Sequence, residues 1–167
     1  MKIIAVIGSY RKDGMIDLLV SEILDAASGE GAEVQRIYLI DQDIAFCANC
    51  RLCTQSPEKT RGQCRHADAM GPLLDELETA DAYVLASPMN FGAVTAVTKR
   101  FIERLVCYAY WPWGTHIPRQ RDKRKYRHAV LVATSAAPSL LVRYTAPIVN
   151  QLKSVAGLLN AKTAGVL

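Results

Sequence analysis

Four of the five cysteines in this chain stand at positions 47, 50, 53 and 64. Two residues separate each of the first three, a spacing that lets several sulfurs converge on one centre. Thiolates packed in this way hold an iron–sulfur cluster or zinc, form a redox disulfide, or serve as small buried apolar groups. Ten residues lie between Cys53 and Cys64. A loop of that length can still bring Cys64 round, since each doubling of loop length costs only about 0.6 kcal/mol. Pro57 and Gly62 help it turn, and Lys59, Arg61 and Arg65 can offset thiolate charge. Zinc ligands more often come as two separated pairs.

A second group of residues suits an anion. Gly8-Ser9-Tyr10-Arg11-Lys12-Asp13-Gly14 follows an apolar run and precedes a helical pattern. The loop's N–H groups and the helix N-terminus make an anion site, with the Ser9 hydroxyl and the charges of Arg11 and Lys12 added. The spacing is not that of a Walker loop or a dinucleotide fingerprint, and a plain strand-to-helix turn with two solvated cations is the alternative. Between Cys107 and Arg127 neither helical nor strand period holds. Tyr108, Tyr110, Trp111, Pro112 and Trp113 form an aromatic cluster there, and the segment from Arg119 to Arg127 is basic, with Asp122 opposing it. Such a segment can grip single-stranded nucleic acid, cap a planar cofactor, or pack as a surface loop on the domain or a second subunit. Cys107, His66, His116 and His128 are assigned structural roles.

The elements that must position these groups follow a βα rhythm. Residues 2 to 7 are apolar without alternation, as in a strand covered on both faces. Met15, Leu19, Ile23 and Ala26 recur at helical spacing until Gly29 and Gly31 end the run. Val34 to Ile40 reads as a second strand, and Asp68 as the N-cap of a helix with Met70, Leu73, Leu74 and Leu77 on one face. Tyr83 to Ala86 is a third strand, stopped by Ser87-Pro88-Met89-Asn90-Phe91-Gly92. Val94, Val97, Phe101 and Leu105 mark the next helix. Ala129 to Ala133 is a fourth strand; a helix carrying Tyr144, Ile148, Leu152, Val155 and Leu159 leads to a fifth at Thr163 to Leu167. Repeated βα units imply right-handed crossovers and a parallel sheet with helices on both faces. One domain over residues 1–167 is expected, with a cysteine-rich loop at 47–64 and an excursion at 107–127. The net charge of +4 does not by itself argue for nucleic acid. No apolar run reaches the roughly 18 residues of a membrane span. The N-terminal run lacks a signal peptide's core and cleavage site, so a cytoplasmic address is expected, where thiols stay reduced.

Taken together, these residues resemble the flavodoxin-like NAD(P)H-dependent FMN reductases, and especially the branch that includes the iron–sulfur flavoproteins. Three stretches carry the resemblance: Gly8-Ser9-Tyr10-Arg11; the cysteine run ending Gly62-Gln63-Cys64 with Asp68-Ala69-Met70 behind it; and Ala86 to Gly92 leading to Lys99-Arg100-Phe101-Ile102-Glu103-Arg104. The family fold is a doubly wound α/β sheet, a flavodoxin-like parallel five-stranded sheet of order 2-1-3-4-5, with FMN beyond the carboxyl ends of the strands. The resemblance places the FMN phosphate on Ser9, Arg11, Lys12, Gly14 and the backbone of Met15 and Ile16. The ring would lie along Ser87, Pro88, Met89, Asn90, Phe91 and Gly92, with Thr134, Ser135 and Ala136 closing the third side. Cys47, Cys50, Cys53 and Cys64 would be the ligands if a [4Fe–4S] cluster is held.

The departures matter as well. Family members commonly carry polar residues where this chain has Met15 and Ile16, and a glycine in the third loop where this chain has Thr134-Ser135-Ala136-Ala137. The terminal helix of the family has no counterpart after the fifth strand, which suggests cover near Val166 by another subunit or a shortened protein. The resemblance implies an FMN-dependent oxidoreductase. It would take electrons from NAD(P)H and pass them to a flavin, a quinone or an electron-transfer partner, as a homodimer or homotetramer without nucleic acid or membrane. No side-chain acid or base is required, so no catalytic residue is assigned. The basic excursion would suit the extra phosphate of NADPH. Two alternatives stand beside this: an iron–sulfur electron carrier, and a non-catalytic module whose cysteines hold a structural metal.

Overall fold

The computed structural model describes residues 1–138 and 147–167. The first strand, β1 (Lys2–Ile7), buries every residue from Ile3 to Ile7, which explains why its apolar run has no alternation. The chain continues through α1 (Met15–Gly29), β2 (Glu33–Tyr38), α2 (Met70–Glu78), β3 (Ala82–Pro88) and α3 (Ala96–Arg104). A small hairpin, β4 (Ala109–Tyr110) and β5 (Arg119–Gln120), precedes β6 (Arg127–Thr134), α4 (Ile148–Leu158) and β7 (Ala161–Val166). The main sheet has the order β2-β1-β3-β6-β7, and every pair in it is parallel. With the hairpin set aside, this is the flavodoxin-like order 2-1-3-4-5, with helices on both faces.

Two apolar layers sandwich the sheet. On one face Ile4, Val6, Leu85 and Leu131 pack with Leu73, Leu77, Phe101 and Leu152 of α2, α3 and α4. On the other, Ile3, Ala5, Ile7, Val84 and Val132 meet Ile16, Val20 and Leu24 of α1. No helix among the described residues is long and apolar enough to cross a membrane.

Several boundaries differ from the sequence expectation. The buried stripe of α1 is Ile16, Val20 and Leu24, one residue on from the expected stripe: Met15 is 62% exposed and Ala26 is also outside. The second strand ends at Tyr38, because a 3₁₀ turn at Leu39–Asp41 carries Leu39 into the core. The N-cap position of α2 is Ala69, not Asp68. The Asp68 carboxylate does accept the Met70 N–H at 3.1 Å, but its main partner is an arginine described below. Ile148, Leu152, Val155 and Leu159 are buried as expected; Tyr144 lies outside the described residues.

A polar knot joins the end of β1 to the start of α3. Thr95 caps α3 by accepting the Thr98 N–H, and its hydroxyl donates to the Gly8 carbonyl at 2.5 Å. The Ser87 hydroxyl accepts the Thr95 N–H at 3.3 Å, and the Tyr10 hydroxyl accepts the Ala96 N–H. Position 8 must be glycine for this approach: a Cβ there would stand 1.8 Å from Thr98 Oγ1. Gly8→Ala is therefore expected to destabilise the fold by about 1–3 kcal/mol, the usual cost of overpacking. The check is chemical denaturation, where the midpoint should fall at unchanged slope.

Candidate functional site

Three loops leave the carboxyl edge of the parallel sheet, the edge where open α/β sheets bind ligands. They follow β1, β3 and β6, and they contain the residues expected to hold a flavin. In the first loop, α1 begins after Gly14 with no side chain capping it, so its leading N–H groups are left without a partner among the described residues, as a helix terminus leaves them. Arg11 is exposed, and its guanidinium has no partner among the described residues. Ser9 is buried, and its hydroxyl is taken up within the loop, donating to the Arg11 carbonyl and accepting the Arg11 N–H. Lys12 is drawn aside, to Asp41 at 2.7 Å and over the Tyr38 ring. Ile16 points into the core, so only its backbone faces the loop. Asp17 places a carboxylate in the first turn, but the Tyr38 hydroxyl binds it at 2.6 Å.

In the second loop Asn90 and Ala93 pair across a tight turn. Its central residues Phe91 and Gly92 have φ of 49° and 78°, as a type I′ turn requires. A bulky aromatic held in the left-handed region stores strain of a kind that clusters at ligand sites. Phe91 is fully exposed. The Met89 N–H is spent on the Thr134 carbonyl and that of Asn90 on Ala93, leaving the Phe91 and Gly92 N–H groups without a partner among the described residues. Ser87 does not take part through its side chain: it is fully buried and its hydroxyl serves the knot beneath the loop. Pro88 and Met89 are half-buried. In the third loop Thr134 is half-buried, Ser135 and Ala136 are exposed, and Ser135 accepts the Ala137 N–H.

The cysteine segment forms a second site, along the α2–α3 side. Cys47, Cys50, Cys53 and Cys64 all line one small cavity of ≈ 40 Å³, together with His66, Arg104 and Trp111. All the cysteines are free. Asn49 and Arg51 adopt left-handed backbone, with φ of 50° and 55°, which winds the first three cysteines tightly. Burial pushes the Cys53 thiol up, and the thiols of Cys64, Cys47 and Cys50 add to the shift. Cys64 returns because Gly62 presses on the first turn: a Cβ at 62 would lie 1.7 Å from the Cys53 carbonyl oxygen. Among the described residues no three His, Cys, Asp or Glu side chains group tightly enough for a single ion. A tetrahedral zinc with bonds of 2.3 Å needs sulfurs only about 3.8 Å apart. Cys107 is buried, and burial pushes its thiol up to about 12.

The excursion clamps this loop in place. Arg51 stacks on Trp111 at 3.8 Å and Trp113 at 4.6 Å, while Trp111 exchanges backbone and side-chain bonds with Thr54. Arg121, part of the basic run of the excursion, donates to the carbonyls of Cys53, Ser56, Glu58 and Cys107. Arg127 likewise serves the Glu78 and Ala80 carbonyls. These arginines, with Arg61 and Arg124, line a wider cavity, of ≈ 640 Å³. It lies by the amino ends of β3, β6 and β7, and its guanidiniums are already committed, so it is not the candidate site.

Arg104 and Asp68 were not singled out as functional by the sequence. Asp68 accepts two bonds from Arg104, at 2.6 and 3.0 Å, and the N–H groups of Ala45 and Met70. The Arg104 side chain is 2% exposed and that of Asp68 12%, and Arg104 Nη2 also lies 3.4 Å from Cys64 Sγ.

Residues 1–166 match the family profile described as NADPH-dependent FMN reductase. The chain belongs to that family. An iron–sulfur flavoprotein of Methanocaldococcus jannaschii is 36% identical over 104 residues, which is 62% of this chain and 51% of the relative. One from Archaeoglobus fulgidus is 32% identical over 112 residues, 67% of this chain and 49% of the relative. The chain thus spans about half the length of the curated relatives it matches. Among solved structures, an FMN-dependent NADH-azoreductase from Bacillus anthracis in complex with FMN superposes with a TM-score of 0.64. The match is 13% identical and covers 99% of this chain and 84% of that one. An NADH:FMN oxidoreductase in its apo form gives 0.60 at 16% identity, over 99% and 74%. These likenesses show the fold.

Two outcomes follow from the geometry. The Arg104 guanidinium, helped by the two N–H groups, holds Asp68 down at about 2. A carboxylate depressed in the folded state contributes stability above its unfolded pKa of ~3.9 and loses it as pH falls through the folded value. In the apo chain Asp68→Asn should remove stability on the order of 2 kcal/mol at neutral pH and flatten its decline between about pH 4 and 2, as read by denaturation at stepped pH. Arg121→Ala should release four carbonyls and speed hydrogen exchange through residues 53–62. Its stability cost should be about 2–3 kcal/mol.

Proposed function

We propose that the chain is an FMN-dependent oxidoreductase that takes electrons from NAD(P)H and passes them through FMN to an acceptor. The observation that carries this reading is the uncapped start of α1 beside an unengaged Arg11, on the same sheet edge as the Phe91–Gly92 turn. A phosphate dianion is matched there by helix N–H groups and one guanidinium. Ser9 shapes that loop from within, and Gly14, Met15 and Ile16 contribute backbone. Lys12, tied to Asp41, adds charge at longer range. The unpaired N–H groups of Phe91 and Gly92 offer donors to the polar edge of a flat ring, with Pro88, Met89, Asn90 and the Thr134–Ala136 loop as walls. FMN in this place would supply the hydride and electron chemistry, and the protein position and electrostatics. No acid or base is assigned to the chain.

A second reading concerns the cysteines, and the shared cavity favours it. Cys47, Cys50, Cys53 and Cys64 are proposed as ligands of a [4Fe–4S] cluster, an assignment supported by their spread around a cavity and by relatives that bear the iron–sulfur name. Such a cluster would add a one-electron carrier. Helix α3 ties the two sites together: Thr95 at one end holds Gly8, and Arg104 at the other touches Cys64. Nine residues at 1.5 Å each separate those ends by about 14 Å. The acceptor is proposed to be a flavin, a quinone or an electron-transfer partner, and the protein a cytoplasmic homodimer or homotetramer. The exposed Phe91, Trp113 and Ile117 are apolar surface available to a neighbour.

Anaerobic purification and an absorbance spectrum test both readings. Flavin bands support the first, and a broad long-wavelength shoulder that dithionite bleaches supports the second. A colourless protein that fails to take up added FMN would overturn the oxidoreductase. Arg11→Ala should raise the FMN Kd about 10- to 100-fold, the worth of a charged hydrogen bond. Lys123→Ala, on the exposed basic run, should leave it unchanged; equal effects would place the phosphate elsewhere. Arg121 is unsuitable as that control, because it holds the cysteine loop.

A further inference from the structure

We propose that Arg104 is a positioning residue of the cysteine site: its guanidinium donates an N–H to the Cys64 sulfur and, braced by Asp68, sets how readily that site accepts an electron. The inference rests on the reading of the four cysteines as cluster ligands.

The donor count supports it. Nη1 of Arg104 is used by the Ala45 carbonyl at 2.8 Å and by Asp68. Nη2 divides between Asp68 Oδ1 and Cys64 Sγ. Asp68 cannot turn away, because both its oxygens also accept backbone N–H groups, from Ala45 and Met70. The guanidinium is thus fixed with one edge on the carboxylate and the other toward sulfur. Cys64 is the one cysteine of the cavity with a cation in hydrogen-bond contact among the described residues; Cys47 instead meets the Asn49 side chain at 3.9 Å. The site is built asymmetrically.

Charge decides the consequence. One-electron reduction of a thiolate-ligated cluster adds one negative charge, with no proton taken up. A donor and positive charge at a ligand sulfur stabilise the reduced form more than the oxidised, and hydrogen bonds and net charge are what set cluster potentials. With Arg104 nearly sealed from water, solvent screens little of this. Asp68 opposes it, since its carboxylate partly cancels the charge that Cys64 feels. The two residues therefore push the potential in opposite directions.

The test is a potentiometric titration of the full chain, reconstituted anaerobically with iron and sulfide and reduced stepwise by dithionite through dye mediators. Arg104→Gln should lower the reduced-to-oxidised ratio at fixed potential about tenfold, equivalent to about 59 mV for one electron. Asp68→Asn should raise the ratio, and Arg104→Lys should restore part of the loss. If Arg104→Gln does not fold, the Asp68→Asn and Arg104→Lys shifts carry the test. A purely structural role would move both single variants the same way, or neither, and either result overturns the proposal. If the wild-type chain assembles no cluster, the cluster reading falls and this inference with it. A cluster whose potential ignores both substitutions overturns this inference alone.

Discussion

The buried pair of Arg104 and Asp68 is the constraint on which the site architecture depends. Taking two charges out of water costs several kcal/mol per ion, and only near-complete hydrogen bonding offsets that. Here the offset is built in: Asp68 receives four donors, and the guanidinium edges are filled by a carboxylate, a carbonyl and a sulfur. Each partner belongs to a different piece of chain. Ala45 is the neck of the cysteine loop, Met70 the start of α2, Arg104 the end of α3, and Cys64 the last thiol. The pair therefore fixes where the loop leaves and where it returns. Leaving either charge alone in that place would be costly, so the four pieces hold together or separate together.

Around this pair the cysteine loop is held mostly by backbone carbonyls. A loop carries few apolar contacts of its own, and its polar main chain must be satisfied somewhere. Arg121 meets four carbonyls from one guanidinium, and Trp111 gives Thr54 one donor, its N–H, and one acceptor, its carbonyl. The excursion between α3 and β6 is the brace of the cysteine site. At the carboxyl edge the logic is different. There the Thr95–Gly8–Ser87 knot is buried, while the loops above it keep N–H groups unspent among the described residues and a strained Phe91. Rigid support beneath and unsatisfied donors above are the conditions of a ligand site.

Much of the scaffold is legible in the sequence. Strands buried on both faces read as unbroken apolar runs, and the α2 stripe of Met70, Leu73, Leu74 and Leu77 could pack only one way. The first helix was legible as a helix but not in phase. Two apolar stripes run side by side on it, Met15–Leu19–Ile23 and Ile16–Val20–Leu24, and both satisfy the period. Docking against Ile3, Ala5 and Ile7 buries the second fully and leaves Leu19 and Ile23 of the first at its half-buried margin. The candidate site was legible as a set of loops and as a cysteine spacing. Arg121 and Arg104 were not, because their partners are carbonyls, a carboxylate and a thiol far off in sequence, and a basic residue looks the same whether solvated or bonded.

By itself the sequence determined the order of the main βα elements, the parallel sheet, the three loops at one edge and four cysteines able to meet; the small β4–β5 hairpin carried no local period. Those properties follow from local rules: apolar period, glycine and proline breaks, and thiol spacing. Whether Cys64 came back to the other three was a tertiary question. It depended on Gly62 fitting against the Cys53 carbonyl and on Arg104 and Arg121 reaching across the fold. The same holds for Ser87 and Lys12, whose side chains are claimed by neighbours that no local pattern could name. Polar groups take the partners that folding brings within about 3 Å, and only the folded chain says which those are.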